Sequence, residues 1–142
     1  EVRLMDAYFI TATSVEKDAA GNIIRIHATY DPKTRSGSGF EDRKPNGNIH
    51  FVEKTTALEA EFRLYEALIL EQEEGKDLDF TERLNPNSLT ILKGYVEASL
   101  KDTKPLDHYQ FIRNGYYVTD KESTSDHYIF NRTCGLKSSF KL

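Results

Sequence analysis

The chain has 142 residues, 38% of them hydrophobic, with eight Phe, eight Tyr, four Pro and a net charge of −4. That size and composition suit one sizeable core, or two small barrels sharing a seam, and exclude linker or low-complexity character. The acidic average argues against a uniformly basic polyanion binder, but it hides a gradient. Residues 51–100 carry 5 Lys/Arg against 11 Asp/Glu, whereas residues 101–142 carry 7 against 5. A polyanion is therefore expected at the ends of the chain, with the acidic run Glu71, Glu73, Glu74, Asp77 and Asp79 solvated away from it.

No stretch approaches the roughly 18 consecutive apolar residues of a membrane helix. The opening EVRLMDAYFI is strand-like and charged, unlike a signal peptide. A cytoplasmic monomer without membrane contact is expected. Cys134 is the single cysteine, which precludes an internal disulfide and suits a reducing compartment. Beside Gly135 it reads as a small buried apolar residue.

In chain order, apolar and β-branched residues alternate through VRLMDAYFITATSV and IIRIHATY, the period of half-buried strands. Strands near 2–16 and 23–30, joined through Asp18-Ala19-Ala20-Gly21-Asn22, form a predicted hairpin. Residues from Asp31 to about Asn46 read as a long exposed loop in which Arg35, Arg43 and Lys44 are candidate phosphate contacts; ordinary solvated charge explains them equally well. Alternation returns over 47–53 and 61–66. The only helical spacing is Leu78, Thr81 and Leu84, which predicts a short helix over 77–84 stopped by Asn85-Pro86. Residues 88–96 predict a strand with Gly94 as a candidate bulge. Two short runs, 108–113 and 116–120, flank Asn114-Gly115, a pair that favours a type I′ turn. A last strand is predicted over 128–133. Strands at turn intervals with almost no helix indicate an all-β fold of antiparallel barrels or a sandwich.

A catalytic constellation is not apparent. His27, His50, His108 and His127 lack zinc-site spacing, and no P-loop, dinucleotide fingerprint or nucleophile elbow occurs. Ser36-Gly37-Ser38-Gly39 lacks the following helix that would present amides to phosphate. What remains is a set of aromatic, amide and basic residues on short strands and hairpin tips: Tyr109, Gln110, Arg113, Tyr116, Tyr117, and Arg3 near Tyr8. Single-stranded RNA is read by such mixtures, because splayed bases stack on rings while polar side chains bond their edges. The same tyrosines also fit plain strand formers packing a core.

The blocks VRLMDAY, YDPKT, GNIHFV, EFRLYE, NPNSL, VEASL, YQFIRNGYYVTD and FNRTCGLK, in this order, resemble the C-terminal anticodon-binding part of bacterial glutaminyl-tRNA synthetases. The resemblance spans nearly the whole chain. It implies antiparallel β-barrels of the ribosomal-protein L25-like type. Residues 1–75 would form most of a distal barrel, and 76–142 would connect and return to an incomplete proximal one. It also implies an upstream catalytic domain of the same polypeptide that joins glutamine to tRNA(Gln) with ATP and Mg²⁺. The class I adenylate-binding signatures are absent here, so this part is expected to carry no catalytic site and no cofactor.

Gln110 and Arg113 match the Q-F-x-R-x-G-Y motif that contacts the middle anticodon uridine, and Arg3 matches the first basic residue of V-R-L-x-x-A-Y, which serves the first anticodon nucleotide. A carboxamide offers a donor and an acceptor to a base edge, and a guanidinium adds donors. Met5 stands where many relatives have a second basic residue. A thioether donates no hydrogen bond, so readout of the first nucleotide would lean on Arg3 and stacking. Tyr109, Tyr116 and Tyr117 are then expected mainly as framework. The competing readings are the barrel region of a glutamyl-tRNA synthetase, a free-standing L25-like protein that binds ribosomal RNA, and an enzyme built on a β-sandwich.

Overall fold

The computed structural model of the protein describes residues 1–71 and 78–136. The described chain is all-β apart from three single-turn 3-10 helices, and it divides into two compact units, Glu1–Phe51 and Val52–Leu142. The division expected near residue 75 lies outside the described residues, as do Glu73, Glu74 and Asp77 of the acidic run.

In Glu1–Phe51, strands β1 (Val2–Leu4), β2 (Phe9–Lys17), β3 (Ile23–Asp31) and β4 (Asn48–Ile49) form a sheet in the order β3-β2-β1-β4. The hairpin between β2 and β3 forms as expected. The Asp18 carboxylate accepts the N–H groups of Ala20 and Asn22, and Gly21 takes φ 88. The long first strand does not form. It folds back at Met5–Ala7, where Asp6 takes φ 58 and Leu4 N–H donates to Tyr8 O at 2.9 Å, so that β1 pairs with β2. Asp tolerates the left-handed region, and Asp6 interrupts the apolar phase Val2, Leu4, Tyr8, Ile10 at the turn.

In Val52–Leu142, β5 (Leu58–Tyr65), β6 (Leu89–Val96), β7 (His108–Phe111), β8 (Gly115–Thr119) and β9 (Tyr128–Cys134) form a sheet ordered β6-β5-β9-β8-β7. One face buries Ala60, Val96, Tyr117, Tyr128 and Phe130, with Phe62, Tyr109 and Phe111 packed on them. The rings meet mostly edge to face, Phe111 lying 5.0 Å from Tyr117 and 5.3 Å from Phe130, the arrangement that ring quadrupoles favour.

Three local expectations are corrected. The sheets are mixed, because β1 pairs with β4 and β5 with β9 in parallel, and neither sheet closes into a barrel among the described residues. Gly94 is no bulge: its strand pairs with β5 in unbroken register, and a Cβ there would stand 3.0 Å from the Phe62 ring. The helix expected over 77–84 is a single 3-10 turn, Phe80–Arg83. Asp79 and Glu82 close a capping box at its start, a device that stabilises the first turn without lengthening it.

Candidate nucleic-acid interface

The β7–β8 hairpin is the outer edge of the five-stranded sheet. Its register pairs Phe111 with Gly115, Gln110 with Tyr116, Tyr109 with Tyr117 and His108 with Val118. The turn therefore spans Phe111–Asn114, closed by Asn114 N–H donating to Phe111 O at 2.9 Å, with Arg113 at φ 67. A type I′ turn centred on Asn114-Gly115 would pair Arg113 with Tyr116, and this does not occur. Gly115 serves another purpose. At φ 144 it lies so close to β9 that a Cβ would meet the Cys134 carbonyl oxygen at 2.8 Å.

This register sorts the hairpin into two faces. Tyr109 and Phe111 turn toward the core, as do Gly115, Tyr117 and Thr119, while His108, Gln110 and Tyr116 are exposed. The Tyr109 hydroxyl lies 2.9 Å from Thr103 Oγ1, which also meets the buried Thr119 hydroxyl at 2.8 Å. Burial raises the Tyr117 phenol above its usual pKa. Tyr109 and Tyr117 are thus framework, but Tyr116 is not: it is 43% exposed. Adjacent in β8, Tyr116 and Tyr117 face opposite sides of the sheet, so the three tyrosines expected together as framework divide. Arg113, at the turn, is also exposed. Gln110, Arg113 and Tyr116 therefore share one accessible hairpin.

Next to Tyr116 in the ladder stands Cys134, which is exposed and not buried as the sequence suggested. It sits at the end of β9, past the part of the strand that covers the core.

In Glu1–Phe51 the predicted basic residues are used differently from one another. The Arg3 guanidinium lies 4.3 Å from the Phe9 ring centre and donates to Ser36 Oγ at 2.9 Å and Thr34 O at 3.3 Å. Arg43 forms a two-pronged contact with the Glu1 carboxylate at 2.8 and 2.7 Å and reaches Asp31 at 2.8 Å. These hydrogen bonds hold both carboxyls below their ordinary pKa values and raise that of Arg43. Thr34 is fully buried; its hydroxyl accepts the Phe9 N–H at 2.8 Å and donates to Asp31 O at 2.7 Å. The long loop is accordingly fastened at its base. Arg35 and Lys44 are exposed and form no ion pair among the described residues. Met5 is half-buried, its N–H donating to Ile49 O at 2.9 Å.

The family model for the anticodon-binding domain of class I tRNA synthetases (E and Q) matches residues 48–120. The chain belongs to this family. The matched span takes in β4 to β8, and with them Gln110, Arg113 and Tyr116, while Arg3, Arg35, Arg43 and Lys44 precede it. Relatives of this anticodon-binding family member include the glutamine–tRNA ligase of Clostridium perfringens, 54% identical over 144 residues, covering 100% of this chain and 26% of that protein. That of Clostridioides difficile is 52% identical over 99% of this chain and 26% of its own length. The ligase of Proteus mirabilis is 47% identical over 99% of the chain and 25% of its length. The chain thus spans about a quarter of the curated relatives it matches. Among its described residues no group of three His, Cys, Asp or Glu could hold a metal ion, and no helix is long and apolar enough to cross a membrane.

Proposed function

We propose that this chain reads the anticodon of tRNA(Gln) as the C-terminal part of a cytoplasmic glutamine–tRNA ligase, with Gln110 and Arg113 facing the middle anticodon nucleotide. The observation that carries this is the hairpin within the family-matched span, on which Gln110 and Arg113 are both exposed. A carboxamide and a guanidinium together offer the donors and acceptor that a pyrimidine edge requires. In this reading, ligation with ATP and Mg²⁺ belongs to an upstream catalytic domain of the same polypeptide.

As part of this proposal the chain keeps a distal and a proximal part, and the pairing of β5 with β6 and β9, which joins residues from Leu58 onward to the C-terminal sheet, supports a boundary before β5. The first anticodon nucleotide falls to the Glu1–Phe51 unit. Arg3 there contributes by holding the loop at Thr34 and Ser36, and the free cations Arg35 and Lys44 meet phosphate; Arg43 braces the loop from Glu1 and Asp31.

The test compares charging of tRNA(Gln) by the complete ligase and by its Gln110→Ala and Arg113→Ala forms. A lost base contact of about 1–3 kcal/mol corresponds to a fall in kcat/KM of roughly 5- to 150-fold. Unchanged charging in both variants overturns the reading.

A further inference from the structure

We propose that Tyr116 is the stacking surface on which the nucleotide read by Gln110 is held. The inference rests on the anticodon reading and adds to it a residue whose part is affinity.

Gln110 and Tyr116 are direct cross-strand partners on the exposed face of the hairpin. Partners in that relation have Cβ atoms about 4.5–5.5 Å apart. A base lying on the Tyr116 ring would thus present its edge to the Gln110 carboxamide. The other two hairpin tyrosines are occupied: Tyr109 by its hydroxyl contact with Thr103, Tyr117 by the rings of Phe62 and Phe111. Among the described residues the Tyr116 ring has no aromatic neighbour and its hydroxyl no hydrogen-bond partner.

The backbone beneath the ring is held in place. Thr133 Oγ1 donates to Tyr116 O at 3.1 Å, and the β8–β9 register shifts between Tyr116 and Tyr117, leaving Thr133 as the extra residue. Such bulges re-aim side chains at the edges of sheets and near binding sites. Gly115, fixed against the Cys134 carbonyl, anchors the preceding residue. An aromatic ring on a braced strand, beside a carboxamide, divides the work. Stacking accepts any base, because every base has a π-face, whereas the carboxamide discriminates among edges.

The experiment measures Kd of the complete ligase for tRNA(Gln) and for the same tRNA carrying an abasic middle anticodon nucleotide, using Gln110→Ala, Tyr116→Leu and Tyr116→Phe. Tyr116→Leu is expected to weaken binding of the intact tRNA by roughly 5- to 150-fold, the loss typical of one stacked base. It should cost nothing further on the abasic tRNA, and Tyr116→Phe should bind as the parent does. If Gln110→Ala weakens binding while Tyr116→Leu leaves it unchanged, the stacking role fails and the anticodon reading stands. An equal Tyr116→Leu penalty on intact and abasic tRNA also overturns the role, since the ring would then act elsewhere. If neither Gln110→Ala nor Tyr116→Leu changes binding, the anticodon reading itself fails, and the stacking role with it.

Discussion

The unit Glu1–Phe51 buries Phe9 and Thr34 and fastens them with a hydroxyl, two guanidinium groups and two carboxylates. In Val52–Leu142, five buried side chains with Phe62, Tyr109 and Phe111 make a largely aromatic core, and the buried Thr119 hydroxyl is satisfied by Thr103, which also meets Tyr109. The first unit depends on directed polar contacts, which are easily broken singly. The second depends on packed area, which fails only when volume is removed. The long loop and the hairpin proposed to read the anticodon rest on these two solutions respectively.

The largest expected effect is on the packed core. Phe130 is wholly buried and touches Phe62, Tyr109 and Phe111. Phe130→Ala should destabilise its unit by about 3–5 kcal/mol, measured by denaturant unfolding and by loss of amide-exchange protection in β8 and β9. A smaller loss contradicts the picture of a volume-dependent core.

Next comes the polar latch. Thr34→Val keeps the shape of the side chain but removes the acceptor of the buried Phe9 N–H. Leaving that donor unsatisfied should cost about 1–3 kcal/mol, seen first as faster exchange of the Phe9 amide. If that amide keeps its protection, the latch does not hold the strand.

The smallest effects follow from pH. Arg43 lowers the carboxyls of Glu1 and Asp31 below 4.5 and 3.8. Their contribution is therefore present above those values and lost as pH falls through the depressed ones. Acid should loosen the Glu1–Arg43–Asp31 contact, added salt should mimic it, and Arg43→Gln should remove the part of the acid response that Glu1 and Asp31 contribute. Tyr117 behaves in the opposite sense. Burial raises its phenol above 10.0, so its contribution holds below that pH and is lost as the solution becomes more alkaline. Amide exchange followed from acid to alkaline pH checks both signs, and loosening of the first unit on the alkaline side alone contradicts the assignment.

Local signals in the sequence carried most of the strands. The Asp18–Asn22 turn and the alternation of 23–30 were legible because turn chemistry and period agree there. The fold-back at Asp6 was hidden because no Gly or Pro marks it and a single charged residue on the apolar phase is a weak signal. At the reading hairpin, Asn114-Gly115 pointed to the wrong turn: close contact with the Cys134 carbonyl already claims the glycine, and Arg113 takes the positive φ in its place. That contact is long-range, and so are the parallel pairings of β1 with β4 and of β5 with β9; no short window contains them. The motif singled out Gln110 and Arg113 as candidates, whereas the pairing of Gln110 with Tyr116 on the exposed face needed the register.

The central place of β5 has a consequence for synthesis. Its one neighbour close in sequence is β6; the other, β9, pairs Ala60 with Tyr128. At roughly 5–20 residues per second on the ribosome, several seconds pass between the appearance of β5 and that of its second partner. Through that interval a β5–β6 pair stands with one open edge and with Phe62 lacking the rings of Phe111, Tyr117 and Phe130. A nascent chain halted before Tyr128 would keep that edge indefinitely, a state in which strands readily pair with the wrong partner.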